Sequence, residues 1–177
     1  MRYPVKLGYL IGIEVIMTSL GKRRMLQTYN FDLILPDLKA TNTKQVFKDL
    51  AKAISKKANL GEQQLLIKLV SQEKQENISI GQGIAMPHLK ISNIDQPMVI
   101  FARLKNFVPF ETVDNEPIDL ICCILSSKED NVVNLQASST MARMLSQKEF
   151  SERIRSANNT DDIYKIMRQF APMRKAA

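Results

Sequence analysis

The 177-residue chain has one histidine, two cysteines and no tryptophan, and each scarcity narrows what it can be. Cys122 and Cys123 are adjacent in the apolar run I-D-L-I-C-C-I-L, so on a strand they point to opposite faces and cannot easily bridge each other. They read as buried free thiols of a reducing compartment, which places the chain in the cytoplasm. With no second cysteine pair and the lone histidine distant in sequence, there is no set of metal ligands, and no cofactor is expected. Long apolar runs are missing too. Leu7 to Leu20 is broken by Glu14, Thr18 and Ser19, too short and too charged near its middle for stable membrane insertion. No repeat, low-complexity tract or long linker appears, and the length suits one core rather than two.

The formal charge of +7 would suit a nucleic-acid binder, but its distribution does not. Residues 1–24 carry +4, the tail adds +2 through Arg174 and Lys175, and the remaining body is left with +1. Aromatic residues are not interleaved with the basic ones, so no nucleic-acid partner is expected. Hydrophobic content of 45% and charged content of 24% are those of an ordinary folded domain and exclude wholesale disorder.

Three explanations fit the basic, apolar start. A signal peptide is opposed by Glu14 and by the lack of an A-x-A site; the others are an upstream start, with Met17 or Met25 as the natural one, and a loosely docked extension. The chain divides into an extension over 1–28, a domain over 29–170 and a tail over 171–177.

Within the domain, an extended stretch spans Phe31 to Lys39, and Asn42 or Thr43 can cap a helix running to about Ala58. Val46, Phe47, Leu50, Ala51 and Ile54 form its inward stripe, and Lys44, Lys48, Lys52 and Lys56 read as a solvated face. Leu60-Gly61 breaks it before a second helix, Glu62 to about Glu73, with Leu65, Leu66, Leu69 and Val70 inward. Ile78 to His88 has no helical period and reads as a loop or hairpin edge leading into a short strand. Met98–Leu104 and Ile118–Leu125 are strands, the second apolar enough to be central and covered on both faces. Three helices follow, from Asn131 with Val132, Leu135, Ser139 and Ala142 near helical spacing, over Gln147–Ser156, and over Thr160–Gln169. Met141, Met144, Met167 and Met173 read as core filler. The order, strand, two helices, three strands, three helices, predicts an α/β domain of three layers with a mixed sheet flanked by helices.

His88 closes the stretch G-Q-G-I-A-M-P-H. Pro87 restricts the backbone before it, and Gly81 and Gly83 could let amide N–H groups approach an anion, an arrangement suited to a phosphoryl group. By spacing alone, a core histidine bonded to a carbonyl fits equally well.

From Gln75 to His88 the string Q-E-N-I-S-I-G-Q-G-I-A-M-P-H resembles the phosphorylation-site signature of the fructose/mannitol-type enzyme IIA domains of the sugar phosphotransferase system, above all their nitrogen-regulatory branch. Glu76, Ile80, Gly81, Ile84, Ala85, Met86, Pro87 and His88 fall into the pattern, and Asp114–Leu120, D-N-E-P-I-D-L, matches a second block. The resemblance implies the same α/β fold, with His88 accepting a phosphoryl group from a small HPr-like carrier protein and the two forms signalling to regulatory target proteins.

Three positions depart from the family. Leu89 follows the histidine where glycine is usual, Gln136 aligns with a second histidine, and Gln72 aligns with an arginine. Either glutamine can donate only a neutral hydrogen bond to phosphate, weaker than a charge-assisted one. Gln72, Gly81, Gly83, Pro87 and Gln136 are thus the expected supports around His88. Two alternatives stand beside the phosphocarrier: a phosphorylation-deficient binding module of the same fold, and a sugar-specific IIA component that passes phosphate to a IIB domain.

Overall fold

The computed structural model describes residues 31–92, 94–110, 112, 116–128 and 131–170, without the side chains of 131–134, together with the backbone of two short strands nearer the start. Those strands, β1 (Ile13–Ile16) and β2 (Arg24–Gln27), pair antiparallel in a sheet of their own, inside the segment read as an extension. Met17 and the tail after Phe170, including Met173, lie outside the described residues.

β3 (Leu33–Leu38) occupies the expected extended stretch. Asn42 then caps α1 (Thr43–Ala58): its side-chain oxygen accepts the Gln45 backbone N–H at 2.9 Å, so Asn42 rather than Thr43 is the cap. α1 buries Val46, Phe47, Leu50, Ala51 and Ile54 as expected, with the four lysines exposed, and stops at Asn59 in the left-handed region. α2 (Glu62–Gln75) buries Leu65 and Leu69, while Leu66 and Val70 are only partly covered.

Five strands follow instead of three: β4 (Ser79–Gly81), β5 (Ile84–Ala85), β6 (His88–Ile91), β7 (Met98–Val108) and β8 (Ile118–Ser127). β5 and β6 both run parallel to β8 in one unbroken register, Ile84 beside Leu120 and His88 beside Ile124. They are one path along β8 interrupted at Met86-Pro87, because proline has no N–H for the ladder. β4 folds back antiparallel on β5, β7 lies antiparallel to β8, and β3 runs parallel to β7, so the sheet is mixed, in the order β3-β7-β8-β5-β4.

β8 is central, as its apolar run implied. Ile121, Cys123 and Leu125 enter a core shared with Leu50 and Leu69, while Leu120, Cys122 and Ile124 enter another shared with Met141, Phe150 and Met167. Strand alternation thus splits the adjacent cysteines between the two faces of the sheet, both fully buried. Burial pushes the Cys123 thiol up to about 12 and the Cys122 thiol upward as well, so neither is a reactive thiolate.

The second core is covered by α3 (Asn131–Leu145), α4 (Lys148–Ser156) and α5 (Thr160–Phe170). α1 and α2 pack on one face and α3 to α5 on the other, giving the three layers anticipated. The residues noted at helical spacing on α3 are not its buried stripe. Leu135 is 69% exposed and Ser139 is exposed, whereas Ala137, Met141, Met144 and Leu145 are buried. The buried stripe has the helical spacing i, i+4, i+7 and i+8, and its Met141 and Met144 are core filler as expected. Arg103 on β7 donates to the carbonyls of Pro36, Ile154 and Arg155, placing a cation at the C-terminal end of α4 and tying it to the sheet.

Candidate functional site

His88 opens β6, half-buried, immediately after the break in the strand. Pro87 is buried, and its carbonyl accepts the Ile124 N–H at 2.9 Å, so the chain is pinned to β8 one residue before the imidazole. The His88 backbone N–H is accepted by the side-chain oxygen of Gln72 at 2.9 Å, which joins the end of α2 to the start of β6. Two residues beyond Ile124 on β8, and therefore on the same face as His88, Ser126 meets the ring: Oγ lies 2.7 Å from Nε2. Ser126 is fully buried, so this bond holds the imidazole without competition from water.

Partial burial lowers the His88 pKa from its ordinary value; the Lys90 charge acts in the same direction, and the Glu76 carboxylate opposes both. The shift favours the uncharged ring. One nitrogen is tied to a hydroxyl, and the other is the nitrogen through which a neutral imidazole could act as a nucleophile. The tether is a serine hydroxyl, not the carbonyl of a core histidine.

The expected supports do not all converge. Pro87 and Gln72 do reach His88, but Gln72 does so as an acceptor, and its amide nitrogen donates to Glu76 Oε2 at 3.2 Å. The neutral phosphate donor anticipated at this position is instead committed to the protein's own backbone and to a carboxylate. Gly81 and Gly83, with Gln82 between them, all have positive φ (86°, 72° and 57°) and build the turn between β4 and β5. The Gly83 carbonyl accepts the N–H groups of Asp119 and Leu120, four residues along β8 from the partner of His88, roughly 13 Å at the usual strand rise. A Cβ on Gly83 would meet Asp119 Oδ1 at 3.0 Å, Arg155 Nη2 at 3.1 Å and the Pro117 carbonyl at 3.2 Å. Arg155 donates from Nε and Nη2 to the Asp119 carboxylate, each at 2.7 Å, and from Nη2 to the Gln82 carbonyl. Gly83 therefore accommodates this ion pair, away from the imidazole.

Gln136 is exposed on α3, and among the described residues no hydrogen bond joins its side chain to His88. Leu89 is 3% exposed and packs with Ala85 and Ile91 into the core under α1 and α2. Alternation along β6 turns it to the face opposite His88, so it does not cover the ring. No motif marks Ser126. Its only trace in the sequence is a hydroxyl closing an apolar run at the parity of Cys122 and Ile124. Of the second matching block, Ile118–Leu120 opens β8, while Asp114 and Asn115 lie outside the described residues.

Among the described residues no three His, Cys, Asp or Glu side chains are grouped to hold a metal ion, and no helix is long and apolar enough to cross a membrane.

Comparison with known proteins agrees with this architecture. The family described as phosphoenolpyruvate-dependent sugar phosphotransferase system, EIIA 2, matches residues 28–170. A nitrogen regulatory protein of Bradyrhizobium diazoefficiens is 28% identical over 136 residues, covering 77% of this chain and 89% of that protein. The fructose-specific EIIABC component of Bacillus subtilis is 26% identical across 75% of this chain, which spans only 21% of that longer protein. The crystal structure of the nitrogen regulatory protein IIA-Ntr from Neisseria meningitidis superposes with a TM-score of 0.72 at 24% identity, covering 77% of this chain and 93% of that one. The mixed sheet, the histidine at its broken strand and a family match over most of its length establish that the chain belongs to the EIIA type-2 family of the sugar phosphotransferase system, among whose members its relatives include nitrogen regulatory proteins.

Proposed function

We propose that residues 29–170 form a regulatory phosphocarrier of the cytoplasm, in which His88 accepts a phosphoryl group from an HPr-like carrier and the two forms engage different target proteins. The observation that carries this reading is the half-buried imidazole tethered through one ring nitrogen to the buried hydroxyl of Ser126. With the proton on the tethered nitrogen, the lone pair of the other attacks phosphorus in line. The N–P bond to His88 forms as the carrier's own N–P bond breaks, and that electron pair returns to the carrier's ring nitrogen. Positioning does most of the work in such a transfer. Pro87 and Gln72 hold the backbone of His88 from its two sides, and the lowered pKa keeps the nucleophile neutral.

Incubation with enzyme I, an HPr-like carrier and radiolabelled phosphoenolpyruvate tests the proposal. Acid-labile label is expected on the wild-type chain and none on His88→Ala. A second reading, a binding module of the same fold that is never phosphorylated, draws support from Gln72 being committed to backbone and carboxylate and from the absence, among the described residues, of a hydrogen bond from Gln136 to His88. An unlabelled wild type would select it. Onward transfer of the label to a fructose-type IIB domain would instead identify a sugar-specific component.

A further inference from the structure

Of the cations near the imidazole, the resemblance accounts for none. Its two expected positions are glutamines, one of them spent on the His88 backbone N–H and on Glu76. A phosphoryl group placed on His88 would bring about two negative charges beside the Glu76 carboxylate, so a cation is needed within reach. We infer that Lys90 is that cation: two residues from His88 on the same face of β6, its ammonium binds the phosphoryl oxygens during transfer and in the phosphorylated form.

The geometry supports this in three ways. First, alternation along β6 sends Leu89 and Ile91 into the core and leaves His88 and Lys90 side by side on the other face. Second, Lys90 pairs in register with Ser126, whose hydroxyl holds the imidazole, so the lysine and the tether stand side by side on adjacent strands, one step of the pleat beyond the ring. Third, Lys90 is exposed and, among the described residues, makes no salt bridge, so its stem is not held in another ion pair. Its field already reaches the ring, where it opposes protonation. A flexible four-carbon stem with three rotatable donors suits a group that must follow phosphate oxygens from the carrier to His88.

The inference rests on phosphoryl acceptance by His88 but does not require the natural donor. Phosphoramidate supplies the phosphoryl group without a protein partner: its P–N bond breaks, the electron pair leaves with ammonia, and the N–P bond to His88 forms. Lys90→Gln and Lys90→Arg are compared with wild type, phosphohistidine being followed by phosphorus NMR with phosphoramidate and by radiolabel with the carrier. Loss of a charge-assisted bond predicts that Lys90→Gln is phosphorylated roughly ten-fold more slowly by either donor, and that Lys90→Arg recovers most of the rate. Equal rates for Lys90→Gln and wild type with phosphoramidate overturn the inference, even where carrier-dependent transfer falls, because that pattern belongs to a residue that docks the carrier. Failure of phosphoramidate to modify wild-type His88 overturns it as well. Modification by phosphoramidate alone, with the same dependence on Lys90, retains the inference and removes the phosphocarrier reading.

Discussion

The imidazole of His88 sits between opposing influences, and their signs make its titration informative. Burial and Lys90 lower its pKa and Glu76 raises it. NMR titration should place its midpoint below the free histidine value of about 6.5. Lys90→Gln should move the midpoint up and Glu76→Gln should move it further down; a midpoint unmoved in both variants would mean that neither charge reaches the ring. Because the folded pKa lies below the unfolded one, the unfolded chain binds the proton first as pH falls. The associated stability is therefore full above the unfolded value and is lost as pH drops through the folded one, which urea titrations at a series of pH values would show. Ser126→Ala removes the partner of Nε2. One lost hydrogen bond corresponds to about a five- to ten-fold slower phosphoryl transfer. Nitrogen NMR should then show a mixture of ring tautomers where wild type has one, an outcome that separates loss of orientation from loss of fold.

At the scale of elements, the broken strand explains why the signature residues play different parts. Pro87 interrupts the ladder, Gln72 on α2 satisfies the backbone donor that follows, and Gly81 and Gly83 turn the chain beside Arg155. Gly83→Ala combines a positive φ with contacts near 3 Å and should cost about 1–3 kcal/mol in chemical denaturation. Its transfer rate should match wild type wherever it is folded, since the turn lies four residues along β8 from His88. Gln72→Leu should cost about 1 kcal/mol and speed hydrogen exchange at the His88 amide selectively. Unchanged exchange there would contradict the bond to Gln72.

For the whole molecule, α4 is joined to the central sheet by two arginines in opposite senses: Arg103 reaches out from β7 to the end of the helix, and Arg155 reaches back from the helix to β8. Asp119 is largely buried in this second link, at 10% side-chain exposure against 31% for Arg155. Asp119→Ala strands the guanidinium and should lower stability by about 1–3 kcal/mol. Thermal unfolding would detect the loss, and a variant as stable as wild type would show that packing alone seats the helix.

Local chemistry was enough to reveal much of this protein. The stripe of α1, the cap at Asn42 as one of two choices, the two-faced burial of β8 and the run ending in Pro87-His88 are all set by neighbours within a few residues, where helical and strand periods act directly. Partners distant in sequence were another matter. Whether Gln72 donates or accepts, that Ser126 holds the ring, that Leu89 turns away from it, that the glycines belong to the Arg155 turn, and which stripe of α3 faces inward all follow from the register of β5 and β6 on β8 and from the helices packed over them. A hydrogen bond across 38 residues exists only once the sheet has chosen its register, and no periodicity in the chain encodes that choice.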